Sequence, residues 1–144
     1  MTKVVINKQF GGFGLSKEAV FRYHELKGVP VWVEEDKKYG GLGITHYWLV
    51  PPENRVEDRE DEFRNMTMEE RQEYNRLWSE QSFYDRDVAR DDPILIQVVE
   101  ELGGEKASGR YAELKVIEIP DDVKWMVCEY DGNEWIAEEH RTWG

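Results

Sequence analysis

The sequence predicts a single α+β domain with a mixed or antiparallel sheet and about three helices, in the order β-α-β-β-α-α-β-β-β. Three observations carry that expectation. The 144 residues are the ordinary size of one domain and suffice to bury a core. Stretches with the period of a strand and stretches with the period of a helix follow one another without strict alternation, which argues against a doubly wound sheet. The hydrophobic share of 40%, with six Trp, is too high for a chain held open by its charge.

The elements follow in order. Lys3 to Ile6 is a β-branched run that enters the turn Phe10-Gly11-Gly12-Phe13-Gly14, after which Ser16 is placed to cap a helix. In that helix Ala19, Val20, Tyr23 and Leu26 share a face, and Gly28 supplies the C-terminal stop. Val29, Val31 and Val33 alternate with Pro30, Trp32 and Glu34 as in a half-buried edge strand, and Thr45 to Val50 reads as its partner. Lys37 to Gly43 between them is a glycine-rich loop, too long for a tight hairpin.

From Glu53 to Arg64 the chain is almost all charge, which makes the 53–66 segment the candidate for a flexible, mobile or protruding stretch within the one domain spanning 1–144. Thr67 with Glu70 forms a capping box for a helix that ends near Glu80. Asp91-Asp92-Pro93 then places a cap before a proline at the first helical position, Ile94 to Leu102 carries the apolar face, and Gly103-Gly104 ends it. Leu114 to Ile119 reads as a strand, and Val123 to Tyr130 and Glu134 to His140 flank Asp131-Gly132-Asn133 as a hairpin.

The formal net charge of −12 repels DNA, RNA and anionic membranes, which excludes direct nucleic-acid binding as an expectation and favours basic partner proteins. The single cysteine, Cys128, rules out a disulfide framework and a cysteine-based zinc site, which fits a reducing, cytoplasmic setting. Met1 to Ile6 lacks the features of a signal peptide, and no run has the length of a membrane span.

Several phrases of the chain stand together: Val4-Val5-Ile6-Asn7-Lys8 before Gly11-Gly12-Phe13-Gly14-Leu15-Ser16, then Tyr84-Asp85-Arg86-Asp87 with Arg90-Asp91-Asp92-Pro93, Ile119-Pro120-Asp121-Asp122-Val123, Glu129-Tyr130-Asp131-Gly132 and the ending His140-Arg141-Thr142-Trp143. In these the chain resembles a family of small uncharacterised bacteriophage and prophage proteins. The resemblance covers both ends, leaves Glu53 to Glu80 unmatched, and brings no catalytic residues with it. It implies a bacterial host cytoplasm and an accessory role, such as counter-defence by binding a host protein or capturing a nucleotide signal.

The candidate sites follow from residue chemistry. Gly11, Gly12, Gly14 and Ser16 lie where a helix N-terminus can hold a phosphate or carboxylate, although Lys17 stands where the dinucleotide fingerprint wants glycine, and a simple tight turn explains the same glycines. Arg90, Arg110, His140 and Arg141, with Arg86 and Lys106, are basic residues that can converge on an anion, or can pair with the surplus carboxylates. Glu113-Leu114-Lys115 with Asp91 or Asp92 weakly matches the acidic and lysine set of magnesium nucleases, but reads far more readily as a surface strand of alternating charge. His24, His46 and His140 are too scattered for a zinc site, and Cys128 is expected to pack rather than react. Trp32, Trp48, Trp125 and Trp135 are expected first as core or same-face sheet neighbours, with one or two able to stack on a base or a partner instead.

The acids Glu57-Asp58 and Glu60-Asp61-Glu62 can mimic phosphate charge only if held rigidly, and Arg55, Arg59 and Arg64 dilute them. The expected function is therefore non-enzymatic: capture of a nucleotide-like or other anionic small ligand by Gly11, Gly12, Gly14, Ser16, Arg90, Arg110, His140 and Arg141, with no metal or cofactor. Two alternatives stand beside it, an acidic inhibitor docking on a basic surface of a host defence protein and a metal-dependent nuclease.

Overall fold

The computed structural model describes residues 1–36, 44–139 and 143; the glycine-rich loop expected over Lys37 to Gly43, and His140 and Arg141, lie outside them. The fold is α+β; among the described residues every strand pairing is antiparallel, and the strands are distributed over three small sheets. The chain forms two compact units: one from Met1–Gly28 with Asp85–Gly144, the other from Val29–Tyr84.

In the first unit β1 (Thr2–Asn7) pairs with β5 (Leu114–Ile119), with Val4 opposite Ile117 and Ile6 opposite Lys115. Val4, Val5, Ile6 and Asn7 are all buried, so β1 is covered on both faces, which is why its apolar residues run on rather than alternate. Helix α1 (Lys17–Lys27) starts where Ser16 accepts from the Ala19 N–H and ends at Gly28, whose φ of 74° is the left-handed conformation of a C-terminal cap. It buries Ala19, Val20, Tyr23 and His24. Helix α3 (Pro93–Leu102) packs on α1, β1 and β5 and buries Leu95, Val98 and Val99. Each such aliphatic side chain removed from water contributes about 1.5–3 kcal/mol.

The sequence reading ends α3 at Gly103-Gly104, and Gly103 is its cap; beyond it the backbone turns and resumes as a short α4 (Gly104–Ala107) that the reading did not include. The Gly103 N–H closes α3 on Val99 O while its φ of 84° redirects the chain, so the same glycine both stops one helix and starts the next. Strands β6 (Trp125–Tyr130) and β7 (Asn133–Glu138) form a hairpin around Asp131 and Gly132, whose φ values of 51° and 89° mark the tight turn expected of Asp-Gly.

In the second unit β2 (Trp32–Asp36), β3 (Ile44–Trp48) and the short β4 (Ser82–Phe83) form one sheet, and α2 (Met68–Gln81) carries the capping box, with Thr67 accepting from the Glu70 N–H. No residue of α2 is fully buried. Its inner face is half-buried and aromatic: Trp78 packs edge-on against Trp48 at 5.0 Å and lies 6.0 Å from Tyr74, which in turn lies 6.3 Å from Phe63. Such ring pairs add about 0.5–1.5 kcal/mol beyond the area they bury, and they serve here where an aliphatic core is thin.

The 53–66 segment has local structure of its own. It forms two 3-10 turns, Pro52–Asn54 and Glu60–Asn65, and is tied to α2 by side chains: Gln81 Oε1 accepts from the Val56 N–H at 2.7 Å and Tyr74 Oη from the Arg59 N–H at 3.2 Å. Arg71 completes the tie by donating to the Phe63 and Arg64 carbonyls. Of the four tryptophans expected first as core or sheet neighbours, Trp48 is buried, Trp32 and Trp125 are half-buried, and Trp135 is exposed, because among the described residues no element covers the outer face of the β6–β7 hairpin. Cys128, paired across that face with Trp135, is half-buried.

Candidate functional site

The glycine turn of the first unit gathers several of the residues singled out in the sequence. Gly11 donates its N–H to Asp131 O at 3.1 Å, and a Cβ on Gly132 would overlap the backbone nitrogens of Gly11 and Gly12. The two turns are thus backbone against backbone, a closeness that only glycines permit. Arg90 lies over the Phe13 ring, its guanidinium carbon 3.8 Å from the centroid. Gly14 abuts Gly109, whose N–H donates to Gly14 O, and this brings Arg110 and Tyr111 alongside.

Several donors at the turn expected to hold an anion are spent inside the fold. The Leu15 N–H, at the mouth of α1, donates to the carboxylate of Asp85 at 2.8 Å. Ser16 gives its N–H to Ala107 O and its hydroxyl to Lys106 O. The turn does attract an anion, as its dipole and free N–H groups require, but the anion is a side chain of the same unit.

Arg90 is committed likewise. It forks onto Glu134 of β7, Nη2 to Oε2 at 2.8 Å, while Glu134 Oε1 also accepts the Asn7 N–H. Val5 and Asn7 present their N–H groups away from β5, and the carbonyl of Arg90 takes the Val5 N–H. The Arg90–Glu134 pair therefore closes the open edge of β1 where a third strand would otherwise pair. Buried Asn7 joins the knot, donating to Gln9 O and Gly132 O and accepting from the Glu113 N–H.

Arg110 is different. It lines a cavity of about 500 Å³ with Gln9, Glu105, Ser108, Glu113 and the backbone of Gly104 and Gly109, and among the described residues it has no ion-pair partner. Its guanidinium sits 5.5 Å from the Tyr111 ring centroid. Tyr111 and Phe10 are 61% and 58% exposed, large aromatic surfaces left at the rim of the glycine turn.

The residues of the nuclease expectation are dispersed among other tasks. Asp92 caps α3 by accepting from the Ile94 N–H and also accepts the Tyr23 hydroxyl at 2.8 Å. Burial, and then that hydrogen bond, push the Tyr23 phenol up to about 12. Glu113 lines the Arg110 cavity, and Lys115 lies opposite Ile6 on β5. Among the described residues no three His, Cys, Asp or Glu side chains group as a metal ion would require.

A serine–histidine contact that sequence spacing could not show occurs in the second unit, where His46 Nε2 and Ser82 Oγ share a hydrogen bond of 2.8 Å. Ser82 is buried, and the imidazole is walled by Trp48, Trp78 and Tyr84. Burial holds the His46 imidazole below its ordinary range, with a smaller opposing pull from Glu34. The pair lies where β3 and β4 meet and packs that sheet.

Sequence reasoning overlooked Asp85 as the internal anion and Glu134 as the partner of Arg90. Glu134 was detectable in principle, since it shares a hairpin face with Val127 and Ile136, an inward position where a lone carboxylate demands a cation. No protein-family model, curated protein or solved structure matches the chain.

Proposed function

We propose that the chain is a non-enzymatic accessory protein that binds a nucleotide-like, anionic small ligand in the cavity lined by Arg110. The observation that carries this reading is an arginine without an ion-pair partner among the described residues, set in a cavity of about 500 Å³ beside exposed aromatic rings. Ligand pockets typically measure about 300–1,000 Å³ and combine apolar walls with a few placed polar groups. Arg110 would fork onto a phosphate, Tyr111 or Phe10 would stack on a base, and Glu105 and Glu113 would accept hydroxyl or amino protons. Gln9, which precedes the glycine turn, and Gly109, whose N–H donates to Gly14 O, stand in its lining, so the turn braces the cavity from outside it. The resemblance to small phage and prophage proteins supports an accessory role in a host cell, with capture of a nucleotide signal as one form of it.

The test is a thermal-shift screen against mononucleotides, cyclic nucleotides and ADP-ribose, since a ligand that binds only the folded state raises the melting temperature. A saturable shift that disappears in Arg110→Ala supports the reading. The absence of any shift rejects it.

The alternative of an acidic inhibitor docking on a basic protein surface gains one observation. Glu57, Asp61 and Glu62 are exposed on a segment tied to α2, so these charges are held in fixed places, as a mimic of phosphates needs. Replacing these three acids by their amides would abolish capture of a basic host partner under that reading and leave ligand binding at Arg110 intact.

A further inference from the structure

The second unit carries two cavities of about 340 Å³ each, and Tyr74 lines both. The first is walled by Phe63, Tyr74 and Trp78 with Asp58 and Asn75. The second is lined by Glu69, Glu70 and Glu73 with Val56 and Leu77, and by Arg59. Aromatic faces and carboxylates together are the chemistry of alkylammonium recognition: the ring quadrupole and the apolar ring surface accept a cation with its methylenes, and the carboxylates accept its N–H groups.

Three further facts favour a cation at these cavities. Phe63 already holds one, the Arg71 guanidinium, 5.0 Å from its ring centroid. Glu69 and Glu73 stand four positions apart on α2, and Glu70 and Glu73 three apart, spacings at which like charges repel on a helix. Arg76 offsets part of this by pairing with Glu73 as well as with Glu80, while Arg59, at the edge of the second cavity, pairs with Glu62 and Arg71 donates to the Phe63 and Arg64 carbonyls. Glu69 and Glu70 have no ion pair among the described residues.

We infer that the two cavities flanking Tyr74 form one binding site for a linear aliphatic polyamine. One ammonium group lies among Phe63, Tyr74, Trp78 and Asp58, the methylene chain crosses the Tyr74 ring, and a second ammonium group is taken by Glu69 and Glu70. A compact divalent metal ion does not suit this arrangement, because it cannot use the rings and cannot reach both cavities. The inference concerns the second unit alone and stands independently of the ligand reading for Arg110.

Isothermal titration calorimetry of the full chain with spermidine tests it, with n-butylamine and Mg²⁺ as comparison ligands. Saturable one-site binding of spermidine is expected, weaker by at least about tenfold for n-butylamine, which offers one ammonium group instead of several. Tyr74→Leu, which keeps apolar volume and removes the ring, and Glu70→Gln, at an exposed position that leaves folding intact, should each weaken spermidine by about fivefold. Arg110→Ala should leave it unchanged. Equal binding by Mg²⁺, no saturable heat, or unaltered affinity in both Tyr74→Leu and Glu70→Gln overturns the inference.

Discussion

The guanidinium of Arg90 and the carboxylate of Glu134, 44 positions apart in the chain, form a two-point pair with Glu134 almost fully buried. The pair joins the segment before α3 to β7 and seals the edge of β1, with Phe13 as a lid on the cation. Removing one member leaves the other charge buried and uncompensated, a loss of about 3–5 kcal/mol. Arg90→Ala and Glu134→Gln should each lower the unfolding free energy from denaturant titration by that amount, and the double variant should lose less than the sum. A loss under about 1 kcal/mol in both single variants would show that the pair is an ordinary exposed one.

Gly132 tests the contact between the two turns. Its φ of 89° excludes side chains without strain, and a Cβ there would run into the backbone of Gly11 and Gly12. Gly132→Ala is expected to cost more than about 1–3 kcal/mol, the range for a strained backbone position alone, because displacement of the glycine turn adds to it. Asp131→Asn, which keeps a residue tolerant of positive φ, should change stability by less than about 0.5 kcal/mol. Thermal or denaturant unfolding of the two variants separates the outcomes.

Arg110 should behave in the opposite way to Arg90. It lines a cavity and makes no ion pair among the described residues, so Arg110→Ala should leave stability within about 0.5 kcal/mol. Its effect belongs to ligand binding. Arg90→Ala should unsettle the whole glycine turn, so that any loss of ligand there is accompanied by loss of fold, as circular dichroism would report.

Much of this fold is legible wherever a local signal carries it. Ser16, Thr67 and Asp92 cap α1, α2 and α3 as their side-chain chemistry predicts, and Asp131-Gly132 makes its hairpin because both residues tolerate positive φ. What the sequence conceals is set by partners distant along the chain. The 53–66 segment reads as a solvated run because its composition is charged, yet Gln81 and Tyr74 hold its backbone from α2. Trp135 reads as core or sheet neighbour from its strand, but among the described residues no element covers the face it occupies. At the glycine turn the expected residues do assemble, with Gly11, Gly12, Gly14, Ser16 and Arg90 in one junction and Arg110 beside it. Their roles could not be read locally, because Asp85 and Glu134, which consume the donors, come from elsewhere in the chain.

His46 gives the second unit a pH dependence of definite sign. Burial against Trp48 and Trp78 depresses its folded-state pKa below the ordinary value near about 6.5. The unfolded chain therefore takes up a proton at a higher pH than the folded chain does. Above about pH 6.5 both states hold a neutral imidazole and the group has no effect on stability. As the pH falls below that value, protonation favours the unfolded chain, and the loss grows until the folded-state pKa is reached. His46→Gln, which retains a hydrogen-bonding group toward Ser82 without a titrating charge, should flatten the fall in unfolding midpoint between about pH 6.5 and 5 relative to the parent. The comparison cancels the carboxylates and the remaining histidines, which titrate in both proteins. An identical slope in the two would mean that the imidazole, despite its aromatic walls, reaches water as freely in the folded chain as in the unfolded one.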